Sequence, residues 1–226
     1  MTSAAYSWDF ATVWDYRAVL LRALGVTVSI AAGTIATSMI FGAVLAALRL
    51  SRLRLLIWPV RLLIEVLRAV PPVILIVWVY YCMPILTGLS LGAVETSILA
   101  LSLYSGAFYA EIFRAGVQSV QRGYTEAAYA CGMTRLRTLT RITGPLAFQS
   151  MLPPFISQCI LVLKNTSLAS FIAVPEVLYL GQRLSIQTFR PLEILTSIAG
   201  IFVAIIIPLT LLASYAEARI RARYYT

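Results

Sequence analysis

Apolar residues in this chain gather into long runs separated by short pieces that carry arginine. A run of about 20 mostly apolar residues is long enough for a helix to cross the hydrocarbon of a bilayer. Five stretches meet that description: 24–48, 57–86, 94–113, 148–172 and 194–215. The first is rich in Ala, Ser and Thr and holds Gly25, Gly33 and Gly42, small positions that let another helix approach closely. The second is interrupted by Arg61, Glu65, Arg68 and the pair Pro71-Pro72. The fourth carries Lys164, Asn165, Thr166 and Ser167 and is expected to break near Pro175; the fifth contains Pro208. Before the first run, residues 1–17 are mixed and aromatic, without the basic start and apolar centre of a signal peptide. They read as an interfacial lead-in, with Trp8, Trp14 and Tyr16 among headgroups. The predicted fold is therefore all-α and integral to the membrane: residues 1–226 form a single transmembrane domain of five spans, with no soluble module.

Composition agrees with a membrane solvent. The chain is 60% apolar and only 12% charged, with a mean hydropathy of +0.87. Soluble domains are nearer half apolar and a quarter charged. The charge is lopsided, 18 Lys+Arg against 9 Asp+Glu, and Lys164 is the only lysine. A basic chain can bind nucleic acid, but that needs a soluble basic face, and here the arginines lie between apolar runs. There is no histidine, which excludes a Ser-His-Asp triad, a Cys-His dyad and any His-ligated metal. The only aspartates, Asp9 and Asp15, lie in the N-terminal tail, so no paired-Asp membrane protease is available. Cys82, Cys131 and Cys159 are odd in number and widely spaced, as small free-thiol fillers would be, and form no metal pattern.

Arginine placement sets the expected orientation, because cytoplasmic loops accumulate Lys and Arg. The link between the first two spans together with Arg61, the 114–147 segment and the C-terminal tail hold twelve arginines. The opposite side holds four: Arg17, Arg22, Arg183 and Arg190. Five spans put the three arginine-rich pieces on one side, so the N-terminus is expected outside and the C-terminus in the cytoplasm.

The polar 114–147 segment reads as two short helices joined by a turn. Thr125 is placed to cap the first, over 126–131, and Gly132 to end it. A second helix is expected over 134–142, with Arg135, Arg137 and Arg141 exposed and Pro145 stopping it. Two such helices under a membrane domain make a rigid knob able to pass force to a soluble partner; a solvated loop that only fixes topology is the plainer reading.

Glu126-Ala127-Ala128, Gly132, Ile142 and Pro145 resemble the EAA loop of ABC importer permeases, written EAA-x3-G-x9-I-x-L-P, with Gly144 where leucine is usual. Leu67-Arg68-Ala69-Val70-Pro71-Pro72 and the 109–117 stretch (YAEIFRAGV) resemble segments of polar amino acid permeases, over about residues 20–220. So does Arg122-Gly123-Tyr124, with Tyr for Gln, and so does Lys164-Asn165-Thr166-Ser167-Leu168, with Asn for Asp.

The resemblance implies the five-span type I ABC importer permease fold in the inner (plasma) membrane. It also implies a set of partners: a second permease subunit, identical or different, a pair of ATPase subunits that hold ATP and Mg, and an outside binding protein that delivers a polar amino acid. No Walker A motif is present, so this chain is expected to bind no cofactor and to perform no catalysis itself. Carried over by position, the ATPase-coupling contacts would be Glu126, Ala127, Ala128 and Gly132. The 73–81 stretch followed by Pro84, and Met133-Thr134, look most like the glutamate/aspartate branch. The expected substrate is thus an acidic amino acid, with basic amino acids or opines as the alternative and a passive channel as the rival class.

An ionisable residue at membrane depth costs about 2.5–3.5 kcal/mol on insertion scales, so each asks for a partner or a task. Arg61, Glu65 and Arg68 share one helix face and are expected to pair or to gate. Pro71 and Pro72 are expected to kink the span. Glu111 and Arg114 are spaced to pair with each other or with a loop. Lys164, Asn165, Thr166 and Ser167 either face the substrate pathway or hydrogen-bond between helices.

Overall fold

The computed structural model describes residues 6–51 and 54–224. Arg52 of the charged link lies outside these residues, and so do the side chains of Arg54, Arg219, Arg221 and Arg223. Every element among the described residues is helical. The order is α1 (Ala11–Asp15), α2 (Arg17–Leu50), α3 (Arg54–Ala69), α4 (Pro72–Tyr81), α5 (Met83–Thr87), α6 (Ala93–Gln118), α7 (Arg122–Ala130) and α8 (Arg135–Thr138). A π-turn (Leu139–Thr143) leads into α9 (Gly144–Asn165), which passes into a 3-10 turn (Thr166–Ile172). The chain ends with α10 (Val177–Thr188) and α11 (Pro191–Tyr224). Four helical stretches are long and apolar enough to cross a membrane, or five when the bent α3–α4 pair counts as one.

α2 and α6 form the centre of the bundle. Gly33 faces Ile98, Thr37 Oγ1 lies 2.5 Å from Ser102 Oγ, and Gly42 faces Gly106 and Tyr109. Numbering rises together along both helices, so they run parallel. A Cβ on Gly42 would fall 2.6 Å from the Tyr109 Cβ and 2.8 Å from the Gly106 carbonyl oxygen, so the contact exists only because both faces are small. Gly33 and Gly42 behave as the sequence predicts; Gly25 does not, since nothing lies near it. α9 runs antiparallel to α6: the Tyr109 hydroxyl is 3.2 Å from Cys159 Sγ, and Ser119 donates to Ser150 at 2.9 Å.

The second apolar stretch bends at Pro71-Pro72, as expected, and breaks once more before its end. α3 and α4 meet at 102°, and Gly88, with φ of +71°, closes a third short helix, α5. The cause of the bend is local. Val70 and Pro71 each precede a proline, which disfavours helical backbone, and Pro71 is extended. The fourth stretch ends where expected: Ala173 takes φ of +59°, just before Pro175. Beyond it lies α10, which the apolar pattern does not reveal.

The chain start is tied down as well. Glu193, in the first turn of α11, has a fully buried side chain. It accepts hydrogen bonds from the Tyr6 hydroxyl (2.6 Å), the Asp9 amide (3.0 Å) and Arg190 Nη1 (3.2 Å). Arg190 also donates to the Ser7 carbonyl at 2.9 Å. The bond to the Glu193 carboxylate raises the Tyr6 hydroxyl above its ordinary pKa. Trp8 and Trp14 stay exposed, as an interfacial segment requires.

Candidate coupling segment and membrane pathway

At the end of α6 the chain leaves the bundle through Ser119 and Gln121 and enters α7. Glu126 and Ala127 lie on the exposed side of α7, whereas Ala128 is buried. Two positions beyond Glu126 a side chain points about 200° around the helix. Ala128 therefore faces the chain's own second limb, where α7 packs on α8 and the π-turn.

Gly132 ends the first limb. Its φ is +75°, its amide bonds the Tyr129 carbonyl (2.9 Å), and the Met133 amide bonds the Ala128 carbonyl (3.0 Å). This pair of bonds is a Schellman close, which needs a left-handed residue and hence favours glycine. Thr125 does not cap α7. It already lies within the helix and returns its hydroxyl to the Arg122 carbonyl at 2.7 Å; Gln121 holds the cap position.

The second limb differs from the expected 134–142 helix. Thr134 caps α8, its Oγ1 accepting from the Arg137 amide at 3.4 Å, and the chain then continues through the π-turn into α9. Pro145 does not stop it. Pro145 lies in the first turn of α9, where a missing N–H costs little. Arg135, Arg137 and Arg141 are exposed, as predicted.

Above the knob, Glu111 gathers arginines from two helices. Arg114 donates to its Oε2 through Nε (2.9 Å) and Nη2 (2.7 Å) and also reaches Gln118; Arg49, at the end of α2, pairs with its other oxygen. The i,i+3 spacing exposes the Glu111–Arg114 pair in the sequence; the Arg49 partner is visible only once α2 and α6 are known to be parallel. The Arg61–Glu65–Arg68 set separates. Arg61 and Glu65 approach to 3.8 Å with both side chains more than half exposed. Arg68 instead lies 5.0 Å from the Phe108 ring centre.

Lys164, Asn165, Thr166 and Ser167 stand where α9 tightens into the 3-10 turn. The Thr166 hydroxyl bonds the Leu163 carbonyl (2.7 Å) and the Ser167 hydroxyl the Lys164 carbonyl (2.9 Å). Both bonds stay within their own turn, so these two hydroxyls do not link helices. Lys164 is exposed and Asn165 half-buried. Several interior polar positions were passed over in the sequence. Thr34, Ser105 and Gln158 bury polar atoms without a partner among the described residues. Glu176 is wholly buried and caps α10, accepting from the Leu178 (2.9 Å) and Tyr179 (2.7 Å) amides.

This arrangement of spans and knob is shared. Residues 38–222 match the family described as "Binding-protein-dependent transport system inner membrane component", and the chain belongs to it. The Glutamate/aspartate import permease protein GltK of Escherichia coli O157:H7 is 27% identical over 221 residues, 95% of this chain and 99% of that protein. The Probable glutamine ABC transporter permease protein GlnP of Bacillus subtilis (strain 168) is 32% identical over 210 residues, 91% of this chain and 95% of that one. A crystal structure of an amino acid ABC transporter with histidines superposes with a TM-score of 0.87 at 25% identity, covering 95% of this chain and all of that one. The family, together with the apolar helices, makes this chain a multi-pass membrane component of an ABC importer, similar to amino acid permeases.

Proposed function

We propose that this chain is the permease subunit of an ATP-driven importer of polar amino acids. It takes substrate from a binding protein outside the inner membrane and releases it to the cytoplasm by alternating access. The observation that carries this reading is the knob: an exposed Glu126 and a Schellman-closed Gly132 on two packed limbs below the spans. ATP and Mg belong to a separate pair of ATPase subunits that grip this knob. Glu126 offers a carboxylate to a basic group there.

Topology supports the same reading. Parallel spans α2 and α6 are joined by an odd number of crossings, so the bent α3–α4 pair crosses once. The chain then has five spans, with the N-terminus outside and the knob and C-terminus in the cytoplasm, where arginine accumulates.

The pathway runs beside the turn that begins at Lys164. An acidic amino acid is the first substrate reading, since Lys164 carries no adjacent anion where Asn165 replaces the usual Asp. Basic amino acids or opines are the second reading and a neutral amide the third, since the relatives named for octopine and glutamine transport are 33% and 32% identical to this chain.

The test is uptake. Purified with its binding protein and ATPase in proteoliposomes, the complex should accumulate labelled glutamate or aspartate only with ATP inside the cell-facing compartment. Leakage without ATP, or no ATPase retained by the tagged chain from native membranes, would defeat the importer reading. Accumulation of arginine or an opine alone would move the substrate to the second reading, and of glutamine alone to the third.

A further inference from the structure

We infer that Gly144 and the π-turn before it set the rotation at which α7 is presented to the ATPase, which makes Gly144 a positioning residue for coupling. The inference rests on the importer reading for its consequence, but not for its geometry. The Gly144 amide bonds the Leu139 carbonyl, five residues back. Such a turn holds one residue more than an α-turn. In an α-helix one residue corresponds to about 100° of rotation and about 1.5 Å of rise, so gaining or losing the π-turn re-aims everything beyond it.

The lack of a side chain at residue 144 is what admits the π form. A Cβ on residue 144 would sit 2.8 Å from the Leu139 carbonyl oxygen, the same atom that accepts the closing bond. Any side chain there pushes on the turn itself. Below, α7 packs on this turn and Ala128 is buried, so the knob follows the turn as a unit. Gly144 is also the position at which the EAA pattern carries leucine, so the chain departs from the pattern where its geometry needs no side chain.

The test compares Gly144→Ala with a compensated variant in which Thr143 is also removed. On an ordinary α-helix Gly→Ala is favourable. Here the alanine forces an α-turn that still contains the extra residue, so the knob rotates; removing Thr143 restores its phase. The readout is the distance between spin labels on Cys131 and Leu161→Cys in the full chain in nanodiscs, with Cys82 and Cys159 changed to Ser. ATP-driven uptake by the complex is the second readout. Gly144→Ala should shift the distance and cut uptake by about tenfold or more, and the compensated variant should recover both. An unshifted distance in Gly144→Ala, or a compensated variant no better than Gly144→Ala alone, overturns the inference. If the unsubstituted complex shows no ATP-dependent uptake, the importer reading falls while the distance result still decides the geometry.

Discussion

Glu126 is a lone exposed carboxylate on a knob whose other exposed charges are arginines. Reversing it should repel the same partner group it now attracts. Glu126→Arg is expected to abolish ATP-driven uptake while membrane insertion continues, checked by transport and membrane fractionation; wild-type uptake would remove the coupling role. Asn165 is half-buried at the turn that opens the proposed pathway. Asn165→Asp restores an anion beside Lys164 and should raise the uptake ratio of arginine to glutamate by about tenfold, equivalent to about 1.4 kcal/mol. An unchanged ratio in a competition assay places the selectivity elsewhere. Glu193 shows how a single carboxylate can organise a chain start. Glu193→Ala leaves Tyr6 and the Asp9 amide without their acceptor and Arg190 with only the Ser7 carbonyl, so the thermal midpoint should fall and the N-terminal segment should become open to protease, as limited proteolysis would reveal.

Among the elements, α2 and α6 share the most extensive contact. A side chain at Gly42 meets backbone atoms of α6, so no rotamer relieves it. Gly42→Leu should destabilise the bundle by about 1–3 kcal/mol, measured as an earlier unfolding midpoint in a denaturing-detergent titration. How far such elements can be read from sequence follows from what each one buries. The long spans are plain because lipid demands long apolar runs, and the first limb of the knob is plain because Gly132 must take a left-handed turn. The rest depends on neighbours. α10 is short and mixed, and it is held by a Glu176 cap and by the Val177 amide bonding Thr27 on α2 at 3.2 Å, across 150 positions. Continuation through Pro145 was hidden because a proline stops a helix only where its N–H was needed. The partners of Glu111 and Arg68 lie on the packed faces of other helices, which periodicity alone does not name.

For the whole molecule, the five-span reading puts the chain's start and its knob on opposite faces of the membrane. An impermeant maleimide should label Cys131 only from the cytoplasmic face, and Trp14→Cys, in a chain lacking the other cysteines, only from outside. Labelling of both from one face would require an even number of crossings. The parallel course of α2 and α6 has a further consequence, in biosynthesis. The polar positions Thr34 and Ser38 on α2 are wholly buried, and α6 is the helix that α2 packs against most extensively. At about 5–20 residues per second, the roughly 70 residues between the ends of α2 and α6 take about 3–14 s to emerge. During that interval a nascent α2 has hydroxyls and no companion. Its principal neighbour arrives only after that delay, so the pairing of the first span with the third is a late event in making this protein.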